Sequence, residues 1–127
     1  MHFDLVIVGT GSGNTIMGKE YQHLTIAIVE SGRFGGTCLN VGCIPTKMYV
    51  YPADVTEAAR RAGPLGVHAT IDAIDGPGIR DRIFARVDEI SEHGLAYREG
   101  PKWPNISVLH GIGRFTGHKA MTVDLHD

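Results

Sequence analysis

The sequence predicts an α/β fold, a parallel sheet with a β-meander appended, and three observations predict it. Two short runs, Phe3 to Val8 and Leu24 to Val29, are apolar and rich in β-branched residues, the pattern of strands buried on both faces of a parallel sheet. Between them, Thr10 to Tyr21 carries Ile16, Met17 and Tyr21 as the apolar side of a short helix, so the three segments together have the size of one βαβ unit. Beyond Pro101 to Asn105 the apolar period changes to that of strands.

The remaining elements follow in order. After a cysteine-bearing loop, a helix is predicted from near Ile44 toward Ala62, ended by Gly63-Pro64; Pro52 inside it predicts a kink or a break. Leu65 to Ile71 reads as a short strand and Asp72 to Gly78 as a turn-rich connection. Ile79, Ile83, Val87 and Ile90 recur at helical spacing and mark a second long helix. Ile106 to Leu109 reads as a strand, with Arg114-Phe115 and Met121 to Leu125 as parts of a meander that turns at Gly117 and is unfinished at Asp127. No internal repeat, linker or low-complexity segment interrupts this order.

Composition narrows the function. A chain of 127 residues, 43% hydrophobic and 20% charged, is ordinary globular material for one domain. With a formal net charge of −2 and no basic run longer than Arg60-Arg61, it lacks the footprint of a nucleic-acid binder. Asp4 interrupts the first apolar run, no basic segment precedes it, and Gly9 ends it; this is neither a signal peptide nor a membrane span, and a cytoplasmic protein is expected. In a reducing compartment, two cysteines point to catalysis or metal binding rather than to a structural bridge. The 17 glycines are nearly twice the usual share, and many fall at Gly9 to Gly13 and Gly32 to Gly42.

Gly9-Thr10-Gly11-Ser12-Gly13-Asn14 joins the first strand to the first predicted helix. Glycines there let the backbone turn sharply and bring its amides close to a pyrophosphate. The fingerprint's third position is Asn14 rather than glycine, so the packing of helix on strand must accommodate a side chain. Glu30, at the end of the second strand, stands where a carboxylate accepts from ribose hydroxyls. A glycine-rich turn that binds nothing is the competing reading, and the loop by itself does not separate NAD from FAD.

Cys38 and Cys43 lie in Gly35-Gly36-Thr37-Cys38-Leu39-Asn40-Val41-Gly42-Cys43-Ile44-Pro45-Thr46-Lys47. Five positions along a regular helix rotate two side chains apart by about 140°, so a disulfide between them needs a distorted turn. Gly42 supplies backbone freedom, and Pro45 requires the regular helix to begin near Cys43 or Ile44. The sulfur of Cys43 is thereby expected at a helix N-terminus, where exposed amides favour a thiolate. A redox pair, a structural disulfide, inert thiols and half of a zinc site all remain open on these residues, although the histidines offer no H-x₃₋₅-H pair for zinc.

The whole segment resembles the redox-active motif of the class I pyridine nucleotide–disulfide oxidoreductases, the family of glutathione reductase, lipoamide dehydrogenase and mercuric reductase. With the glycine loop and Glu30 the resemblance runs in order through Lys47, with an echo at His110-Gly111-Ile112-Gly113-Arg114-Phe115. Thr10, Asn14 and Lys47 to Tyr51 are most similar to the branch that reduces mycothione in actinobacteria.

The resemblance implies a Rossmann-like FAD-binding domain, incomplete, of which residues 1–127 are the N-terminal part, with the nicotinamide-binding and dimerisation domains absent. It implies FAD held by Gly9, Gly11, Ser12, Gly13 and Glu30, with Gly36, Thr37, Lys47 and Gly113 also against the cofactor. It further implies a Cys38–Cys43 redox disulfide in which Cys43 faces the flavin and Cys38 attacks a small-molecule disulfide, electrons arriving from NADPH or NADH. The complete protein is expected to be a homodimer without a metal, whereas this stretch is not expected to turn over alone. Lipoamide dehydrogenase is the rival within the family; a non-catalytic nucleotide-binding module and a flavin-free redox sensor are rivals outside it.

Overall fold

Strand β2 (Ile26–Glu30) organises the molecule, because Ile26, Ala27, Ile28 and Val29 are buried on both faces of a sheet and have a parallel neighbour on each side. The computed structural model describes residues 1–126. In chain order they form β1 (Leu5–Val8), β2, α1 (Gly36–Asn40), α2 (Cys43–Arg61), α3 (Gly76–Glu99), β3 (Ile106–Gly117) and β4 (Ala120–Leu125). The four strands make one mixed sheet in the order β1-β2-β3-β4, the first three parallel and β4 antiparallel to β3. Register places Leu5, Ile26 and Ile106 side by side, then Ile7, Ile28 and Val108. Met17, Tyr21 and Leu24 pack on that face. Asp4 accepts from the Thr25 amide and hydroxyl, both at 2.7 Å, and so fixes the starts of β1 and β2 against each other.

Four expectations change. β1 is not buried on both faces: Val6 and Val8 are 42% and 57% exposed, because among the described residues β1 pairs with β2 alone and its second face is uncovered. The segment after β1 is not a helix but two short 3₁₀ turns, Ser12–Ile16 and Lys19–Tyr21. Met17 between them is extended (φ −74°, ψ 110°), which buries its side chain and leaves Ile16 outside; with Gly13 and Gly18 weakening helix propensity, core burial of one methionine outweighs helix continuation. Leu65 to Ile71 is not a strand. Gly63–Leu65 is a 3₁₀ turn and the residues after it are irregular and exposed, and they join neither edge of the sheet. Of the kink or break expected at Pro52, the break is absent: α2 runs through it from Cys43 to Arg61.

Helix α3 begins on Asp75, whose carboxylate accepts from the Gly78 amide at 2.9 Å, a capping bond of the usual kind. Its Ile83 and Val87 are fully buried, and it packs on α1, α2 and β3. β3 is one continuous strand that changes partner: its first half pairs with β2, its second half with β4 across the turn at His118-Lys119. Among the described residues no helix is long and apolar enough to cross a membrane.

Replacing Ile28 by alanine deletes most of a side chain with no exposed surface. It should lower unfolding free energy by about 2 to 5 kcal/mol, read as a shifted midpoint in urea denaturation. Val8→Ala, on the uncovered face, should shift the midpoint by less than half as much.

Candidate functional site

Thr10 sits at the first bend after β1 and is almost fully buried. Its hydroxyl donates to Glu30 Oε2 at 2.5 Å and accepts from the Gly35 amide at 2.8 Å, while its own amide donates to the same Glu30 oxygen at 2.8 Å. One side chain thus joins the glycine loop, the end of β2 and the start of the cysteine segment. Glu30 Oε1 accepts from the Gly32 amide at 2.8 Å, so three of the roughly four acceptor positions of this carboxylate are filled.

Gly36 brings the cysteine segment against the loop. Its φ is +66°, and a β-carbon there would lie 2.6 Å from the Gly11 Cα, so backbone meets backbone with no room for a side chain. Helix α1 then carries Thr37 and Cys38, and the chain reverses through Val41 and Gly42 into α2, whose first residue is Cys43. At Gly42 close approach is what requires glycine: a β-carbon would stand 2.8 Å from the Thr37 carbonyl and 3.2 Å from the Cys38 Cα. This reversal sets Cys38 and Cys43 within hydrogen-bonding reach of each other as exposed, unbonded thiols. Buried Asn40 locks it, donating from Nδ2 to the carbonyls of Gly36 at 2.9 Å and Phe34 at 3.1 Å. Ser91 of α3 also donates to the Phe34 carbonyl, at 2.6 Å.

Donation of the Cys38 S–H to the Cys43 sulfur holds the Cys38 thiol above its ordinary range, with desolvation and negative charge at Cys43 adding to the effect and the Cys43 backbone amide and Lys47, one turn into α2, opposing it. For Glu30, desolvation pushes upward, but the hydrogen bonds from Thr10 and Gly32 together outweigh it and hold the carboxyl below its ordinary value. Burial pushes the Arg98 guanidinium down; it remains a cation at any physiological pH.

The structure therefore gathers Gly9, Gly11, Ser12, Gly13, Glu30, Gly36, Thr37, Cys38, Cys43 and Lys47 along the ends of β1 and β2 and the starts of α1 and α2. Gly113 stands apart from the sulfurs, on β3, where a β-carbon would lie 3.2 Å from Val29 Cγ1 and 2.9 Å from Met121 Sδ. The space over Gly9, Gly11 and Gly13 is open, with no heavy atom within 4 Å of a β-carbon position. A concavity of about 330 Å³ lies elsewhere, lined by Arg60, Ala69, Ile71, Ala73 and Ile74. Among the described residues no three His, Cys, Asp or Glu side chains gather as a metal-ligand set. Sequence reasoning missed the roles of Thr10, Asn40, Ser91 and Arg98. Thr10 occupies a variable place in the fingerprint, and Ser91 and Arg98 act on residues far away in sequence, so only Asn40, a polar residue inside the cysteine segment, carried a local signal.

No protein-family model matches the sequence. The chain is 47% identical over 113 residues to mycothione reductase of Mycobacterium tuberculosis (strain H37Rv), an alignment covering 89% of the chain and 24% of that protein. It is 35% identical to mercuric reductase of Shigella flexneri over 97% of the chain and 22% of that protein. Against dihydrolipoyl dehydrogenase of Zymomonas mobilis it is 31% identical, over 97% of the chain and 26% of that protein. The chain belongs to the class I pyridine nucleotide–disulfide oxidoreductases. It spans about a quarter of the length of these oxidoreductases.

Two outcomes test the contacts made by Thr10 and Glu30. Thr10→Val keeps the shape of the side chain but strands the Gly35 amide and removes one of the two donors to Glu30 Oε2, the backbone amide remaining. It should lower stability by about 1 to 3 kcal/mol, with Thr10→Ser close to the parent in urea denaturation. Glu30, with a folded pKa below its ordinary 4.5, contributes stability that is complete above that value and is lost as pH falls through the lower folded one. Acid titration of the unfolding midpoint should show that loss in the parent and not in Glu30→Gln.

Proposed function

We propose that this chain is the N-terminal part of a Rossmann-like FAD-binding domain, and that the complete protein is a cytoplasmic, homodimeric flavoprotein that uses NADPH or NADH to reduce a small disulfide. Mycothione is the proposed substrate, since the 47% relative is named for it. The observation that carries this reading is the pair of neighbouring exposed thiols, Cys38 on α1 and Cys43 at the start of α2, held against the glycine loop by the contact of Gly36 with Gly11.

The residues present fit the cofactor. The open space over Gly9, Gly11 and Gly13 admits a pyrophosphate to the loop amides, with Ser12 beside them. Glu30, partly exposed at the end of β2, stands where a ribose hydroxyl would reach its carboxylate. Gly36, Thr37, Lys47 and Gly113 complete the proposed contacts. When bound, FAD supplies a two-electron relay between the nicotinamide and the sulfur pair.

The chain's own chemistry is thiol–disulfide exchange. The Cys43 sulfur is the acceptor facing the Cys38 proton; the cation of Lys47 favours the Cys38 thiolate but does not outweigh the interactions that hold the proton on Cys38. That thiolate attacks one sulfur of the substrate; the substrate S–S bond breaks, one thiolate leaves and a mixed disulfide forms at Cys38. Cys43 then attacks the Cys38 sulfur, releasing the second substrate thiolate and closing the Cys38–Cys43 bond. Two electrons have passed to the substrate, and two from the nicotinamide must reopen the bond. The close contact of Gly42 with Thr37 and Cys38 holds the start of α2 against α1.

In the complete reduced protein, Cys38→Ser should keep the long-wavelength absorbance of a thiolate beside an oxidised flavin while disulfide turnover disappears. Cys43→Ser should lose the absorbance and the turnover together. Stopped-flow spectra with the pattern reversed would exchange the two roles, and no such band in either variant would remove the flavin–thiol reading. Assays with mycothiol disulfide and lipoamide side by side assign the substrate.

A further inference from the structure

The glycine loop is held from behind by a residue the fingerprint does not contain. In a regular helix after β1, the Asn14 carbonyl would accept from the amide four residues on. Here the 3₁₀ turn ends at Ile16 and Met17 is extended, so that acceptor has no backbone donor. Arg98, near the end of α3, takes its place: Nη2 donates to the Asn14 carbonyl at 2.9 Å, between two buried residues. The guanidinium is stacked near Trp103 and Tyr97, its carbon 5.7 and 5.6 Å from the ring centres.

A second pairing lies in the same two residues. Asn14 Oδ1 is a buried acceptor without a donor, and Arg98 Nη1 is a buried donor without an acceptor. A glycine at position 14, as the fingerprint prescribes, would offer no such oxygen. Asparagine at 14 and arginine at 98 are therefore complementary departures: the loop gives up the helix that normally fixes its amides, and α3 supplies a fork that grips the same residue by its backbone oxygen and could reach its side chain through one water.

We infer that Asn14 and Arg98 form a clamp that positions the glycine loop for a pyrophosphate, so that Arg98 is a positioning residue for nucleotide binding. This rests on the FAD reading above. Because the clamp fixes the amides facing the pyrophosphate and does not touch Glu30, it governs affinity for ligands that carry phosphates and leaves the nucleoside end alone.

The test compares ADP and adenosine, titrated by calorimetry or ligand-observed NMR, on the complete protein stripped of flavin, in the parent, Arg98→Met, Arg98→Lys and Asn14→Gly. Arg98→Met should weaken ADP about ten- to a hundredfold, the range expected for a buried charge-assisted hydrogen bond, with adenosine within about twofold of the parent. Arg98→Lys, which retains a cationic donor, should recover most of the ADP affinity. Asn14→Gly should weaken ADP less than Arg98→Met, because the carbonyl contact survives. Equal losses of ADP and adenosine, or no rescue by lysine, would reduce Arg98 to a packing residue and overturn the clamp. A parent that binds neither ligand would instead overturn the FAD reading. If Arg98→Met fails to fold, the lysine and glycine variants decide, and ADP affinity unchanged in both together with unchanged amide exchange across Gly11 to Asn14 would overturn the clamp.

Discussion

A single hydroxyl proton and lone pair, those of Thr10, hold three distant parts of the site in one place. Glu30 requires donors because its carboxylate is partly removed from water at the end of β2, and the Gly35 amide requires an acceptor because the Gly35-Gly36 turn has none of its own. Thr10 meets both needs at once, and its burial keeps water from competing for either. With that bond in place Gly36 can settle on Gly11, α1 can start, and the reversal at Gly42 can bring the two sulfurs together. The geometry of the thiols is thus inherited from a polar contact at the far end of the motif.

Helix α3 supplies the other half of the support. Its apolar face, Ile83 and Val87, buries the helix, while its polar residues reach back to carbonyls left without backbone donors: Ser91 to Phe34 and Arg98 to Asn14. Leaving such carbonyls buried and unpaired would be costly, so a long amphipathic helix serves as a donor rack for the irregular segments that carry the chemistry.

The parts of this arrangement that were legible in the sequence are those specified by near neighbours. Strand β2 and helix α3 announce themselves by period, and the glycine and cysteine segments by spacing, since a tight turn or a reversed chain restricts residue types at fixed offsets. The parts that were not legible depend on what lies across the fold. Ile16, Met17 and Tyr21 have helical spacing, yet Met17 finds the core only by leaving the helix. Leu65 to Ile71 has strand-like composition but pairs with neither edge of the sheet. Val6 and Val8 are as apolar as their counterparts in β2, and only their place at the sheet's edge explains why they stay exposed. Asn14 looked like a blemish in a fingerprint until Arg98 came to meet it.

The order of these contacts along the chain has a consequence for biosynthesis. Every group that meets at Thr10, and both thiols, lies within the stretch ending at Lys47, whereas Ser91, Arg98 and the whole of β3 follow later. Pairing β2 with β3 closes a long loop and so belongs to the slow, nonlocal part of folding, while the turns around the cysteines need only their own neighbourhood. A ribosome that has released the N-terminal segment thus presents two adjacent thiols before the helix that braces them has been made. During that interval only the reducing potential of the surroundings, and no part of the protein, decides whether those sulfurs reach the finished fold as partners of each other.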